Sequence, residues 1–181
     1  MSTTSRTHLA LLPTVTVERV RSRTAVPVCV ALASALAGLI HLAVVPEHLE
    51  EWWVYGTFFV VTGVFQLGYA VAVLRRPTPL VALTGIITNL GIVLLWLLSR
   101  TTGLPVGPPA DRASHEGAHL AEGGSNIEAV GPLDLVASGA ELVVVYLLVT
   151  LLPPPLRKLT VNVLLVVGVG LWALRMTGAL G

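Results

Sequence analysis

A single cysteine, few charges and no basic patch set the first limits on this chain. Cys29 by itself excludes an internal disulfide framework and a cysteine-built zinc knuckle. It lies inside an apolar run and reads as a small packing residue. Charged residues make up 12% of the 181 positions, where a soluble domain carries about a quarter. With a net charge of +1 and no RNA- or DNA-binding motif, nothing points to a nucleic-acid partner. No Gly-x4-Gly-Lys-Ser/Thr run, Gly-x-Gly-x-x-Gly turn or Gly-x-Ser-x-Gly elbow occurs, so phosphate cradling and esterase chemistry have no sequence support.

Hydrophobic residues are abundant instead, at 54% of the chain, and the mean hydropathy is +0.83. Apolar runs near 20 residues mark membrane helices, because hydrocarbon offers backbone N–H and C=O groups no partner outside their own helix. Five such runs are legible: Ala25–Val45, Val54–Leu74, Pro79–Leu98, Leu133–Leu152 and about Val161–Leu180. Helix breakers separate them at Pro46, Pro77 with Pro79, Gly103 to Pro109, Gly131-Pro132 and Pro153 to Pro155. The expected fold is all-α: a five-helix transmembrane bundle over 25–181, preceded by a cytoplasmic tail over 1–24. Ala33-Ser34-Ala35 and Ala35-Leu36-Ala37 fit a signal-peptidase pattern, but the apolar run continues through Val45 without a polar break. It is therefore read as a span.

Lys and Arg placement predicts the orientation. With the N-terminus inside, the cytoplasmic face holds Arg6, Arg19, Arg21, Arg23, Arg75, Arg76, Arg157 and Lys158, and the other face only Arg100, Arg112 and Arg175. The C-terminus and the polar, Gly/Pro/Ala-rich loop 99–132 then lie outside the cell. The tight connection after Arg76 predicts that spans two and three pack as antiparallel neighbours. Ser34 with Gly38, or Gly63 with Gly68, would let helices approach closely.

Polar side chains inside spans are costly in lipid and invite a functional reading. On the first span Ser34, Gly38 and His41 share a face by their i, i+4, i+7 spacing. The second carries a stripe with Phe59 and Gln66, the third Asn89, and the fourth an inward line of Asp134, Ser138 and Glu141. At ~1.5 Å per residue, His41 lies about 6 Å, Glu141 about 12 Å, Asn89 about 14 Å and Gln66 about 18 Å below the outer surface. Those depths overlap, so one outward-facing pocket lined by these residues is possible.

The hinge Pro46-Glu47-His48-Leu49-Glu50-Glu51 reads as the first turn of the second span, where proline and acidic residues suit a helix start. That leaves His48 unexplained and in reach of His41. Imidazole and carboxylate together suit a divalent transition metal such as zinc, copper or iron, so His41, His48 and Glu141 are metal candidates, with Gln66, Asn89, Asp134 and Ser138 as pocket lining. A proton site would use the same groups. His115-Glu116-Gly117-Ala118-His119 matches H-E-x-x-H, the zinc-protease pentapeptide, but glycine inside it weakens the helix that the motif requires, which leaves His115, Glu116 and His119 as a secondary metal candidate. Arg175, one turn from Trp172, reads as reaching the interface or pairing with Glu141 or Asp134.

The runs Gly38-Leu-Ile-His-Leu, Pro46-Glu-His-Leu-Glu-Glu-Trp52 and Ser99-Arg-Thr-Thr-Gly-Leu-Pro105 resemble a group of small bacterial multi-pass membrane proteins that carries no assigned activity. The resemblance implies a membrane protein and brings no activity, catalytic residue or cofactor; the expected location is the bacterial cytoplasmic membrane. Two functional expectations stand together. One is an extracytoplasmic metal or proton pocket; the other is an accessory or assembly protein, in which the polar groups only hold helices together. A carrier or channel would need a homo-oligomer or a membrane-complex partner to add to its five spans.

Overall fold

The computed structural model describes residues 14–101 and 130–178. Among them the chain forms six α-helices and no strand: α1 Thr14–Ala43, α2 Val45–Glu51, α3 Trp53–Arg75, α4 Pro79–Thr101, α5 Pro132–Leu151 and α6 Pro154–Met176. All but α2 contain a stretch long and apolar enough to cross a membrane, that of α1 being Ala25–Ala43.

Several boundaries differ from the sequence expectation for identifiable reasons. The helix of the first span begins at Thr14. The hinge is a separate helix, α2, and not the first turn of α3: Trp52 is extended, at φ −161° and ψ 132°, and breaks the two apart. The stub folds back on the start of α3 because Gly56 has no side chain. A Cβ there would sit 2.3 Å from Leu49 Cδ2. α4 runs through Thr101, so Ser99–Thr101 belong to the helix and not to the following loop. α6 starts at Pro154, ahead of the expected Val161, because proline at the first helical positions loses no backbone bond. Cys29 is exposed and packs against nothing central.

Helix order in space follows the small residues. α1 packs extensively on α3 and on α5, and α5 on α4. At the α1–α3 crossing, Gly38 and Gly63 face each other; a Cβ on Gly38 would lie 3.0 Å from the Gly63 carbonyl, and one on Gly63 2.9 Å from that of Gly38. Gly68, the other small residue expected there, faces open space. α3 and α4, expected as close neighbours across their tight loop, meet at only a few positions. Long side chains bridge that seam: Tyr69 reaches from α3 and donates to the Val81 carbonyl at 3.0 Å. Its hydroxyl fills the space that a Cβ on Gly85 would occupy.

The bundle is layered along its axis. Towards the 76–78 connection an apolar core gathers Val30, Tyr69, Val73, Ile86, Val144 and Leu148. Next comes a belt of fully buried polar residues, Ser34, Gln66, Asn89 and Glu141. Above them, at the α2 end, the helices enclose a cavity. α6 is the most peripheral helix: its backbone approaches only α5 and none of its side chains is fully buried, although Leu156 and Leu164 pack against the core. Many outward positions are large and apolar, among them Leu32, Leu39, Val61, Ile87 and Tyr146.

Candidate functional site

Each polar residue of the belt arrives on a different helix, and the glycines set how closely those helices meet. Ser34 of α1 donates to the Gln66 carbonyl across the Gly38–Gly63 crossing, at 2.9 Å. This tethers α1 to α3 and brings Gln66 level with α5. The Gln66 side chain then donates from Nε2 to Glu141 Oε1 at 2.8 Å, with Asn89 Oδ1 a weaker acceptor at 3.4 Å. Asn89 is itself turned by a bond from Nδ2 to the Gly85 carbonyl at 2.8 Å. Gln66 Oε1 is buried without a partner among the described residues.

The centre of the arrangement is a carboxyl–imidazole pair. His41 Nε2 lies 2.9 Å from Glu141 Oε1, with side-chain exposures of 8% and 1%. An isolated carboxylate at that depth carries a large desolvation cost. Here one oxygen receives two N–H donors from two other helices, which offsets much of it. With Glu141 as acceptor, His41 carries its proton on Nε2, and His41 makes no second hydrogen bond among the described residues. Residues 100 positions apart in sequence thus form a buried polar contact inside the described bundle.

A cavity of about 270 Å³ lies above this pair. His41, Glu141, Ser138 and Asp134 line it, with Phe58 and Phe59 on the α3 side and Ile92, Leu95 and Trp96 on the α4 side. At its rim Asp134 Oδ2 accepts from Arg100 Nη2 at 2.9 Å and from the Gly131 amide at 2.8 Å. The second bond closes the first turn of α5 and the first joins α5 to α4. Asp134 takes Arg100 and not Arg175, which is exposed on α6.

His48 also lines the cavity, from α2. Its Nδ1 donates to the Val44 carbonyl at 2.8 Å. The Phe59 ring lies against both imidazoles, with centroids 4.1 Å from His48 and 5.5 Å from His41. Among the described residues no three His, Cys, Asp or Glu side chains converge as a metal site would require. His115, Glu116 and His119 lie outside the described residues.

Of the residues singled out from sequence, His41, Gln66, Asn89 and Glu141 meet in one hydrogen-bonded network. Asp134, Ser138 and His48 face the shared cavity. Arg100 was missed as a site residue, being read only as an outer-face charge. Its signal was available: Arg100 and Asp134 end and begin consecutive spans, and so sit at one depth with opposite charge. Phe59, as the ring between two histidines, had no such signal.

These observations define a class: a chain whose described residues form helices and no strand, with five helices apolar enough to cross a membrane, and a buried acid–base pair beneath a cavity. Comparison of the chain with protein families, curated proteins and solved structures returns no match.

Proposed function

We propose that this chain is an integral protein of the bacterial cytoplasmic membrane, with its N-terminus in the cytoplasm and the cavity opening to the extracytoplasmic side. In this reading it takes up and releases a proton at the His41–Glu141 pair. One observation carries the reading: Glu141 is 1% exposed, yet it sits at a cavity wall with imidazole and amide donors on the same oxygen.

Such a pair holds a proton in either of two places, as imidazolium with carboxylate or as neutral imidazole with carboxylic acid. Gln66 suits both states. Its amide nitrogen donates to a carboxylate; turned over, its oxygen accepts from a protonated acid, which also gives Gln66 Oε1 the partner it lacks. Among the described residues the other charged or titratable groups at the cavity are His48, Tyr55 and the Arg100–Asp134 pair. Arg100 and Asp134 neutralise each other, so the cavity carries no fixed excess of charge beside the pair.

Proton exchange fits the geometry better than metal ligation. Zinc sites take at least three protein ligands, and among the described His, Cys, Asp and Glu side chains of the cavity only His41 and Glu141 touch each other. The accessory reading keeps one favourable observation: every bond of the network joins two different helices or fixes the side chain that does. α6, none of whose side chains is fully buried within the chain, is the face open to lipid or to a second membrane chain.

Infrared difference spectra of the full chain in lipid, recorded across a pH step, test the proposal. A protonated-carboxyl C=O band that changes with pH and vanishes in Glu141→Gln is the expected result. Spectra without such a band, together with full function in Glu141→Gln, assign the network to scaffolding alone. A transition metal bound one per chain and lost in His41→Ala would reassign the pair to metal ligation.

A further inference from the structure

We propose that the cavity binds a neutral, lipid-borne aromatic ring carrying a hydroxyl, of the phenol or quinol class, with that hydroxyl donating to His41 Nδ1. The inference rests on the proton-site reading above and names the molecule with which the pair exchanges its proton.

Hydrogen-bond roles come first. Glu141 occupies His41 Nε2, and in a neutral imidazole whose Nε2 bears the proton, Nδ1 is a bare acceptor. His41 makes no second hydrogen bond among the described residues, although it lines the cavity. A carboxylate behind an imidazole, with the far nitrogen free, is the arrangement that makes histidine a proton acceptor. Its complement is a ligand O–H. Ser138, on the same wall, offers a hydroxyl that can orient the ligand oxygen.

The remaining walls select what carries that hydroxyl. Phe58, Phe59 and Trp96 flank the cavity, and aromatic side chains pack best on flat rings. A volume of about 270 Å³ sits at the small end of small-molecule sites, which begin at roughly 300 Å³. One substituted ring fits inside, and an alkyl tail has to remain outside. Charge disfavours the other amphiphiles: Arg100 is already paired with Asp134, so among the described residues lining the cavity no other Lys or Arg stands ready for a fatty-acid or phosphate head.

The entry route follows from packing. Three sides of the α1–α3–α4–α5 ring are closed by extended helix contacts, and the α3–α4 side is not. The aromatic walls belong to those two helices. A ligand tail can leave through that seam and lie along outward apolar positions of the same two helices, among them Val61 on α3 and Ile87 on α4.

The test uses the full chain in lipid nanodiscs and two probes of one shape, para-nonylphenol and its methyl ether. Both partition into lipid, but only the phenol can donate. The expected result is saturable quenching of tryptophan fluorescence by the phenol, one per chain, with the ether bound about tenfold more weakly. Leu95→Trp, at a half-exposed position on the cavity wall, is expected to abolish phenol binding while leaving the Glu141 carboxyl band intact. Equal binding of phenol and ether overturns the inference. So does the absence of saturable binding in a chain whose Glu141 band still changes with pH, an outcome that leaves the proton site standing. A chain with no Glu141 band removes the proton site and this inference with it.

Discussion

Replacing Glu141 by alanine removes the acceptor that His41 Nε2 and Gln66 Nε2 share, at 2.9 and 2.8 Å. In water-soluble proteins each buried donor left unpaired costs about 1–3 kcal/mol. Between transmembrane helices the measured cost of a hydrogen bond is smaller, averaging about 0.6 and reaching about 1.7 kcal/mol, because separated helices find other partners within the membrane. On the proposed membrane location the smaller figure governs, since helices in lipid remain in an apolar phase when they come apart. Two lost bonds then amount to roughly 1–3 kcal/mol. Removing the side chain adds little cavity cost, because Glu141 already borders an open space. Glu141→Gln keeps an acceptor oxygen in place and is expected to cost less than about 1 kcal/mol, the part due to charge. Both values are measurable by titrating sodium dodecyl sulfate into mixed micelles and following tryptophan fluorescence. The reasoning fails if Glu141→Ala loses less than about 0.5 kcal/mol, below the average of even one such bond. It fails equally if alanine and glutamine cost the same.

Further outcomes follow from the same contacts. Gly38→Ala is expected to lose about 1–3 kcal/mol by overpacking against the Gly63 carbonyl; Gly68→Ala, in open space, is expected to gain up to about 1 kcal/mol of helix propensity. The same micelle titration reads both. Asp134→Ala removes the acceptor for the Gly131 amide and for Arg100, and hydrogen exchange in the first turn of α5 should rise by about fivefold, the effect of losing a cap worth about 1 kcal/mol; an unchanged rate would show that the cap contributes nothing. His48→Ala removes a bond to Val44 and a ring contact with Phe59. It should loosen α2 while leaving the Glu141 carboxyl band where it was, whereas a metal shared with His48 would move that band. Tyr69→Phe loses one bond across the α3–α4 seam and should cost about 0.5–1.5 kcal/mol in the same titration.

Much of the fold is legible in the sequence because the constraints on it are local. Twenty or so apolar residues between helix breakers make a candidate span whatever else the chain contains, and four of the five appear at the expected places within about three residues, the fifth starting seven residues early. The larger errors are local too. Placing α6 at Val161 overlooked that proline is welcome at a helix start. Reading α2 as part of α3 overlooked how closely Leu49 can approach at Gly56.

The composition of the polar belt was also within reach, because rise per residue converts position into depth: His41, Gln66, Asn89 and Glu141 are each at a height where contact is allowed. Height leaves the rotation of each helix about its axis open. That rotation is set where Gly38 meets Gly63, where Tyr69 fills the space beside Gly85, and where α3 and α4 stay apart. Such packing depends on pairs of residues far apart in the chain, and no periodicity within a single helix encodes it. The sequence by itself determined which helices form and which polar groups they carry. Tertiary structure alone decided that the imidazole of α1 and the carboxyl of α5 share a hydrogen bond, that Arg100 and Asp134 close the rim, and that a cavity remains above them.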